Sequence, residues 1–241
     1  MKTLILLIAV IIAPVFSIAE SPLPPVELAK LDAWNEKGEW ATAEKIEGSA
    51  SAKEWKSVEP GGNILYNGKD GKAGELVSKQ EFGDIEVEVE FMIPKGSNSG
   101  IYLMQRYELQ ILDSYGKADS ELKYGDNGGI YERWDETIEG KDKGYEGTRP
   151  TTNASTAPGT WQTFLIGFRA PRFDADGKKI ENAKFVQVEH NGVVIHQDVE
   201  VTGPTRGGLA DPEVKTAPLA VQGDHGPVAF KKLLVRPAKF E

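Results

Sequence analysis

The chain has 241 residues, 39% of them hydrophobic, and a formal net charge of -9 from 28 basic and 37 acidic side chains. That length suits one large all-β domain or two small ones with a real core, and the acidic balance speaks against a nucleic-acid backbone or an anionic membrane surface as partner. Cysteine is absent, so an exported domain of this sequence has no disulfide staple and its stability must come from burial.

The opening MKTLILLIAVIIAPVFSIAE sets Lys2 before an apolar run from Leu4 to Ile12 and ends on Ser17-Ile18-Ala19, the small-x-small form of a signal-peptidase site. It predicts a signal peptide over residues 1–19, cleavage after Ala19, and a secreted or periplasmic location. An uncleaved anchor is the alternative, but the run is short of the roughly 20 residues of a membrane span, and Pro14 interrupts it. Residues 20–61 read as a proline-rich leader and lead-in, with a short helix or irregular segment between Leu28 and Trp40. The domain proper is expected over residues 62–241.

From residue 62 onward, short apolar or alternating runs are cut by Gly, Pro, Asn and Asp, the pattern of an antiparallel β-sandwich. The clearest strand is DIEVEVEFMI, in which Ile85, Val87, Val89 and Phe91 share one face and Glu86, Glu88 and Glu90 the other, expected to be solvated. WQTFLIGFRAPRF and AKFVQVEHNGVVIHQDVEV follow, joined by the hairpin turn DADGKK, and HNG marks a second hairpin. APLAVQGDHGPVAFKKLLVRP closes the chain as two more strands. With no long helical pattern between strands, a parallel α/β fold is disfavoured and an all-β, two-sheet antiparallel sandwich is expected.

The stretch GSNSGIYLMQRYELQILDS carries the most chemistry. Tyr107, Leu109 and Ile111 point one way along a strand and Glu108, Gln110 and Leu112 the other. Glu108 and Gln110 are then about 6.5–7 Å apart on one surface, within reach of one small polar molecule such as a sugar; solvated side chains on an outer sheet face are the plainer alternative. Asn98 and Ser99 stand beside the same hairpin, and the GDHG turn adds Asp224 and His225. An ordinary glycosidase uses two carboxyl groups, whereas the same-face neighbour of Glu108 is an amide, and Asp113 falls on the opposite face unless a bulge turns it over. Of the three histidines, His190 and His196 are expected at a turn or surface, and His225 is the candidate for function. Arg206, Arg169 and Arg172 could contact an anion or sugar, with surface ion pairs the alternative. No paired-histidine or cysteine zinc pattern, EF-hand, P-loop or dinucleotide fingerprint is present, so no nucleotide cofactor is expected.

LYNGKD, NSGIYL, YELQILDS, GGIY, the long run from RPTTNAS to TGPTRGG, and LAVQGDHGPVAFKKLLVRP occur in an order that resembles the bacterial 3-keto-disaccharide hydrolase domain family over about residues 62–237. The resemblance implies a concanavalin-like jelly roll, export, and action on glycosides whose glucose carbon 3 a separate oxidoreductase has oxidised to a ketone. Glu108, Gln110, Asp113 and His225 fall on motif positions; Asn98, Tyr131, Arg206 and Asp224 join Gln110 and Asp113 as candidate substrate contacts. Where the family closes with LQDHGNPV-like residues, this chain reads VQGDHGPV, and the added Gly223 moves Asp224 and His225 by one place. A 3-ketone acidifies the proton on carbon 2, so one base suffices: Glu108 is expected to remove it, while His225, or a divalent metal held by Glu108 and His225, stabilises the enolate. A non-catalytic, lectin-like carbohydrate-binding module is the rival from another class.

Overall fold

A computed structural model describes residues 24–140, 143–210 and 212–240. The signal peptide expected over residues 1–19 lies outside the described residues. Strands in chain order are β1 (Val26–Glu27), β2 (Ala41–Gly48), β3 (Trp55–Tyr66), β4 (Leu76–Phe82), β5 (Ile85–Met92), β6 (Asn98–Leu103), β7 (Tyr107–Leu112) and β8 (Arg133–Trp134). They continue with β9 (Gly144–Tyr145), β10 (Gln162–Arg169), β11 (Arg172–Phe173), β12 (Lys179–Glu181), β13 (Ala183–His190), β14 (Val193–Val201), β15 (Ala217–Val221) and β16 (Ala229–Pro237). Among the described residues the only helical elements are 3-10 turns at Leu31–Ala33 and Asp119–Glu121, and no helix is long and apolar enough to cross a membrane.

The larger sheet runs β14-β13-β10-β5-β16-β3-β2, with β1 added to β16; the smaller runs β4-β15-β6-β7, and every pairing is antiparallel. Together they form the expected two-sheet, concanavalin-like sandwich. The alternation in β5 decides which face is inside: Ile85, Val87, Val89 and Phe91 are at most 1% exposed. Phe164, Ile166 and Phe168 of β10 and Tyr107, Leu109 and Ile111 of β7 join them in one core, with the Phe91 and Phe164 rings stacked 4.9 Å apart. The glutamates of β5 are half-buried rather than free in solvent. They form a ladder with β16, in which Arg236 bonds Glu86 and Glu88, Lys232 bonds Glu88, and Lys231 bonds Glu90.

Both hairpin expectations hold. Asn191 and Gly192, at φ 50° and 78°, make the tight turn between β13 and β14; Asp174 accepts the Asp176 and Lys178 amides in the turn between β11 and β12. The domain boundary needs correction: β1, β2 and most of β3 precede residue 62 yet belong to the larger sheet. Pro60-Gly61-Gly62 reads as a break, but these residues form a bulge inside β3, where Ala43 faces both Pro60 and Ile64. The segment from Leu28 to Trp40 is irregular around its 3-10 turn and anchors Trp34 fully in the core.

Candidate active site

The smaller sheet turns one face to the core and the other to a site. Register sets Val77, Ala220, Tyr102 and Glu108 in one row across β4, β15, β6 and β7, with Gly100 beside Gln110 and Asn98 beside Leu112 in the next rows. Asn98, Gly100, Tyr102, Glu108 and Gln110 therefore share the face opposite the core. Gly100 leaves a gap that the Glu108 side chain leans across: a Cβ there would lie 2.1 Å from Glu108 Oε1.

The sheet is extended past β7. Residues 128–131 run beside β7: Gln110 N–H donates to Gly129 O at 2.8 Å, Gly128 N–H to Gln110 O at 2.8 Å, and Tyr131 N–H to Glu108 O at 3.1 Å. Behind them His196 Nε2, on β14, bonds Gly128 O at 2.7 Å. His190 Nε2 bonds Gln162 Oε1 at 2.9 Å, and Asn127 Nδ2 lies 3.4 Å from the same oxygen. The expectation of a turn or surface setting for these two histidines is thus corrected: they are 1% and 2% exposed, and burial holds each down to a pKa of about 4, neutral at physiological pH. A histidine at a strand end beside a turn reads as surface, whereas His190 packs against the Phe91 and Phe164 rings and His196 bonds the Gly128 carbonyl.

Residues 205–208 pass over the Tyr102 hydroxyl. Thr205 Oγ1 accepts the Glu108 amide at 3.0 Å and donates to Arg106 O at 3.0 Å. The Arg206 guanidinium lies 3.9 Å over the Trp134 ring, 3.5 Å from Glu132 Oε1, and donates to the Tyr131 hydroxyl. Trp134 belongs to the β8-β9 ribbon at the edge of the site.

At the centre, Glu108 is 2% exposed and burial pushes its carboxyl up to about 8, against the opposing effect of a hydrogen bond donated by Tyr102. No neighbouring carboxylate contributes to that shift. Tyr102 is 4% exposed, and burial first, then the Glu108 charge, moves its hydroxyl upward. Two buried acceptors on the same face, Asn98 Oδ1 and Gln110 Oε1, have no hydrogen-bond partner. A buried amide oxygen without a donor is costly, so these two oxygens are the acceptors on this face that a hydroxyl group would satisfy.

Glu108, Gln110, Asn98, Tyr131 and Arg206 therefore come together on or around one face. Asp113 does not join them: its carboxylate accepts the Gly96 amide at 2.8 Å and the Lys95 ammonium at 2.9 Å, and so closes the turn before β6. Asp224 and His225 form their own pair, Nδ1 to Oδ1 at 2.6 Å, half exposed at the rim. Their turn packs against the start of β6, where a Cβ on Gly226 would lie 2.4 Å from Ser97 Oγ and 2.9 Å from Asn98 N. The added Gly223 sits over Gly74 O and Ala73 O, where a Cβ would come within 2.5 Å of both, and Asn67 Nδ2 bonds its carbonyl at 2.8 Å. Among the described residues no three His, Cys, Asp or Glu converge as a metal cluster. Glu108 and the Nε2 of His225, whose Nδ1 bonds Asp224, would be at most two of the donors that the expected divalent metal needs.

Motif reading missed Tyr102, Gly100, Glu75 and Thr205. Period two from Asn98 gives Gly100 and Tyr102 directly, so the signal for these two was present in NSGIYL. Glu75 precedes β4, accepts a bond from Gln105 Nε2 at 3.0 Å, and is raised by burial with Asp224 adding to the shift; nothing local marks it. Arg169 and Arg172 are structural: Arg169 pairs with Glu181, and Arg172 grips Asp84 through both nitrogens at 2.6 and 2.7 Å.

Comparison with known proteins follows the same lines. The family described as the 3-keto-alpha-glucoside-1,2-lyase-like domain matches residues 28–236. Curated proteins yield no match. Among solved structures, one candidate glycosyl hydrolase of Parabacteroides distasonis ATCC 8503 is similar at 23% identity and TM-score 0.53, covering 90% of this chain and 93% of that one. A second from the same organism has 14% identity and TM-score 0.49 over 83% and 89% of the two chains. The first shares the fold.

Proposed function

We propose that this chain, which belongs to the family of 3-keto-alpha-glucoside-1,2-lyase-like domains and is thereby a carbohydrate-active domain, cleaves 3-keto-glycosides with Glu108 as the base. The observation that carries this reading is the Glu108 carboxyl on the site face, 2% exposed and raised by burial to about 8, beside two amide oxygens that have no donor. Ordinary glycosidases need two such groups flanking the scissile bond; abstraction of an acidified C–H needs one strong base. In the proposed sequence the Glu108 carboxylate takes the proton from carbon 2 and the enolate forms at carbons 2 and 3. Its collapse expels the aglycone from carbon 1, and water then adds to the enone. Asn98 Oδ1 and Gln110 Oε1 accept sugar hydroxyls, Tyr131 and Arg206 border the sugar, and His225, oriented by Asp224, is the candidate stabiliser of the enolate oxygen. No step runs through a metal.

Export and a partner oxidoreductase that supplies the ketone complete the proposal. The test is aglycone release from a 3-keto-glucoside and from its unoxidised parent, by the wild type and by Glu108→Gln. Release from the keto-sugar alone, reduced at least about 100-fold in the variant, supports it. Binding without release moves the protein to the lectin-like reading.

A further inference from the structure

The base alone does not account for the leaving group. An aglycone that departs as an alkoxide needs a proton, and His225 is half exposed at the rim, bonded to Asp224. The group that touches the base is Tyr102. It faces Glu108 across the β6-β7 ladder, is 4% exposed, and its hydroxyl lies beside the Glu108 carboxylate, close enough to donate to it. Its surroundings fit its oxygen closely: a Cβ on Gly207, whose φ is 86°, would lie 3.1 Å from the Tyr102 hydroxyl, so the chain passes over it where only glycine is easily accommodated. A tyrosine whose task was to fill space would not need its hydroxyl on a buried carboxylate beneath a glycine of positive φ.

We propose that Tyr102 is the catalytic proton donor to the departing aglycone oxygen, recharged through its hydrogen bond to Glu108. This rests on the reading of Glu108 as base. The balance closes within the pair. Glu108 carboxylate takes the carbon 2 proton, and the C–H electrons form the enolate. As the ketone re-forms, the bond between carbon 1 and the aglycone oxygen breaks with its electrons on that oxygen, which takes the Tyr102 proton. The tyrosinate then takes the proton from the Glu108 carboxylic acid, and both groups return to their starting state. Net transfer is one proton from carbon 2 to the aglycone, with no oxidant or co-reactant. Protonation of Glu108 removes the negative charge beside the hydroxyl, and it is that charge, after burial, which most disfavours tyrosinate.

The experiment is Tyr102→Phe against wild type, with methyl and nitrophenyl 3-keto-glucosides, alongside exchange of the carbon 2 proton in deuterated water on a 3-keto C-glycoside that has no leaving group. Exchange reads Glu108 alone, and release reads both residues. The proposal expects the variant to lose at least about 100-fold in kcat/KM on the methyl glycoside, to lose much less on the nitrophenyl glycoside, whose leaving group needs no proton, and to keep its exchange rate within about threefold. Equal losses on both glycosides, or loss of exchange to the same degree, would mean that Tyr102 only positions Glu108, and would overturn it. Wild type that neither exchanges nor releases would overturn the Glu108 reading itself. Should the variant not fold, the wild type decides: release rates across a series of alkyl and aryl aglycones should depend weakly on leaving-group acidity, and a steep dependence contradicts a proton donor.

Discussion

Among single residues, the proposed chemistry depends on one carboxyl and the space left for it. Because Glu108 must be ionised to act as base and its pKa is raised to about 8, kcat/KM should climb tenfold per pH unit below about pH 8 and level off above it; a plateau already reached at pH 6 contradicts the assignment. Gly100 gives a sharper probe. A methyl group there would stand 2.1 Å from Glu108 Oε1 and 2.9 Å from its Cδ, so Gly100→Ala should displace the carboxyl and cost at least about 100-fold in kcat/KM. Thermal unfolding should move by only about 1–3 kcal/mol, the usual cost of an extra methyl group. Glu108 and Gln110 were legible because period two along YELQIL separates them from the core face without any knowledge of the partner strand. Tyr102 was equally legible by periodicity, but a tyrosine in an apolar run also reads as core, and only the register with β7 shows which residue it faces.

At the scale of elements, the site depends on a segment with no regular structure of its own. Residues 126–131 gain their position by extending β7 and by leaning on His196 and on the group around His190. His196→Leu would leave the Gly128 carbonyl buried without its donor, at a cost of about 1–3 kcal/mol. The amides of Gln110 and Tyr131 should then exchange faster with solvent than those of the β5 core. Unchanged protection at both would show that β7 holds the segment unaided. Such long-range support leaves no local mark: His190 and His196 sit in a hairpin whose sequence specifies its Asn191-Gly192 turn, but not what folds over it. The same limit explains β2 and β3. Pro60-Gly61-Gly62 has the composition of a boundary, and only pairing with Ala43 makes it a bulge within a twelve-residue strand.

For the whole molecule, the buried titratable groups place an optimum on stability. His190 and His196 have folded pKa values of about 4 against 6.5 when free, so the unfolded state gains protons first as pH falls below 6.5, and stability drops. Glu108 has the opposite history: its folded value of about 8 exceeds the 4.5 of the free group, so the unfolded state loses its proton first and stability falls as pH rises through that window. Between pH 6.5 and 4.5 the two histidines oppose Glu108 and Glu75, which burial raises in the same sense, and above 6.5 the histidines no longer contribute. Unfolding temperature should therefore peak near pH 6.5 and decline by several degrees toward pH 9, about 2–4 °C for each kcal/mol. Glu108→Gln should remove most of the alkaline decline and leave the acid one; an alkaline decline of undiminished size in the variant would refute the burial of this carboxyl as its cause. That the chain is an all-β sandwich was plain from its punctuation by turn residues. Which strands neighbour one another, and hence that β4, β15, β6 and β7 present one continuous face, is a property of long-range pairing.

The central claim is that Glu108 removes the proton from carbon 2 of a 3-keto sugar, and it is tested most directly by turnover of a 3-keto-glucoside in deuterated water. The account predicts release of the aglycone with deuterium retained at carbon 2 of the sugar product, and neither release nor label from the unoxidised parent or with Glu108→Gln. Release without deuterium at carbon 2, at a rate that Glu108→Gln leaves unchanged, would contradict it.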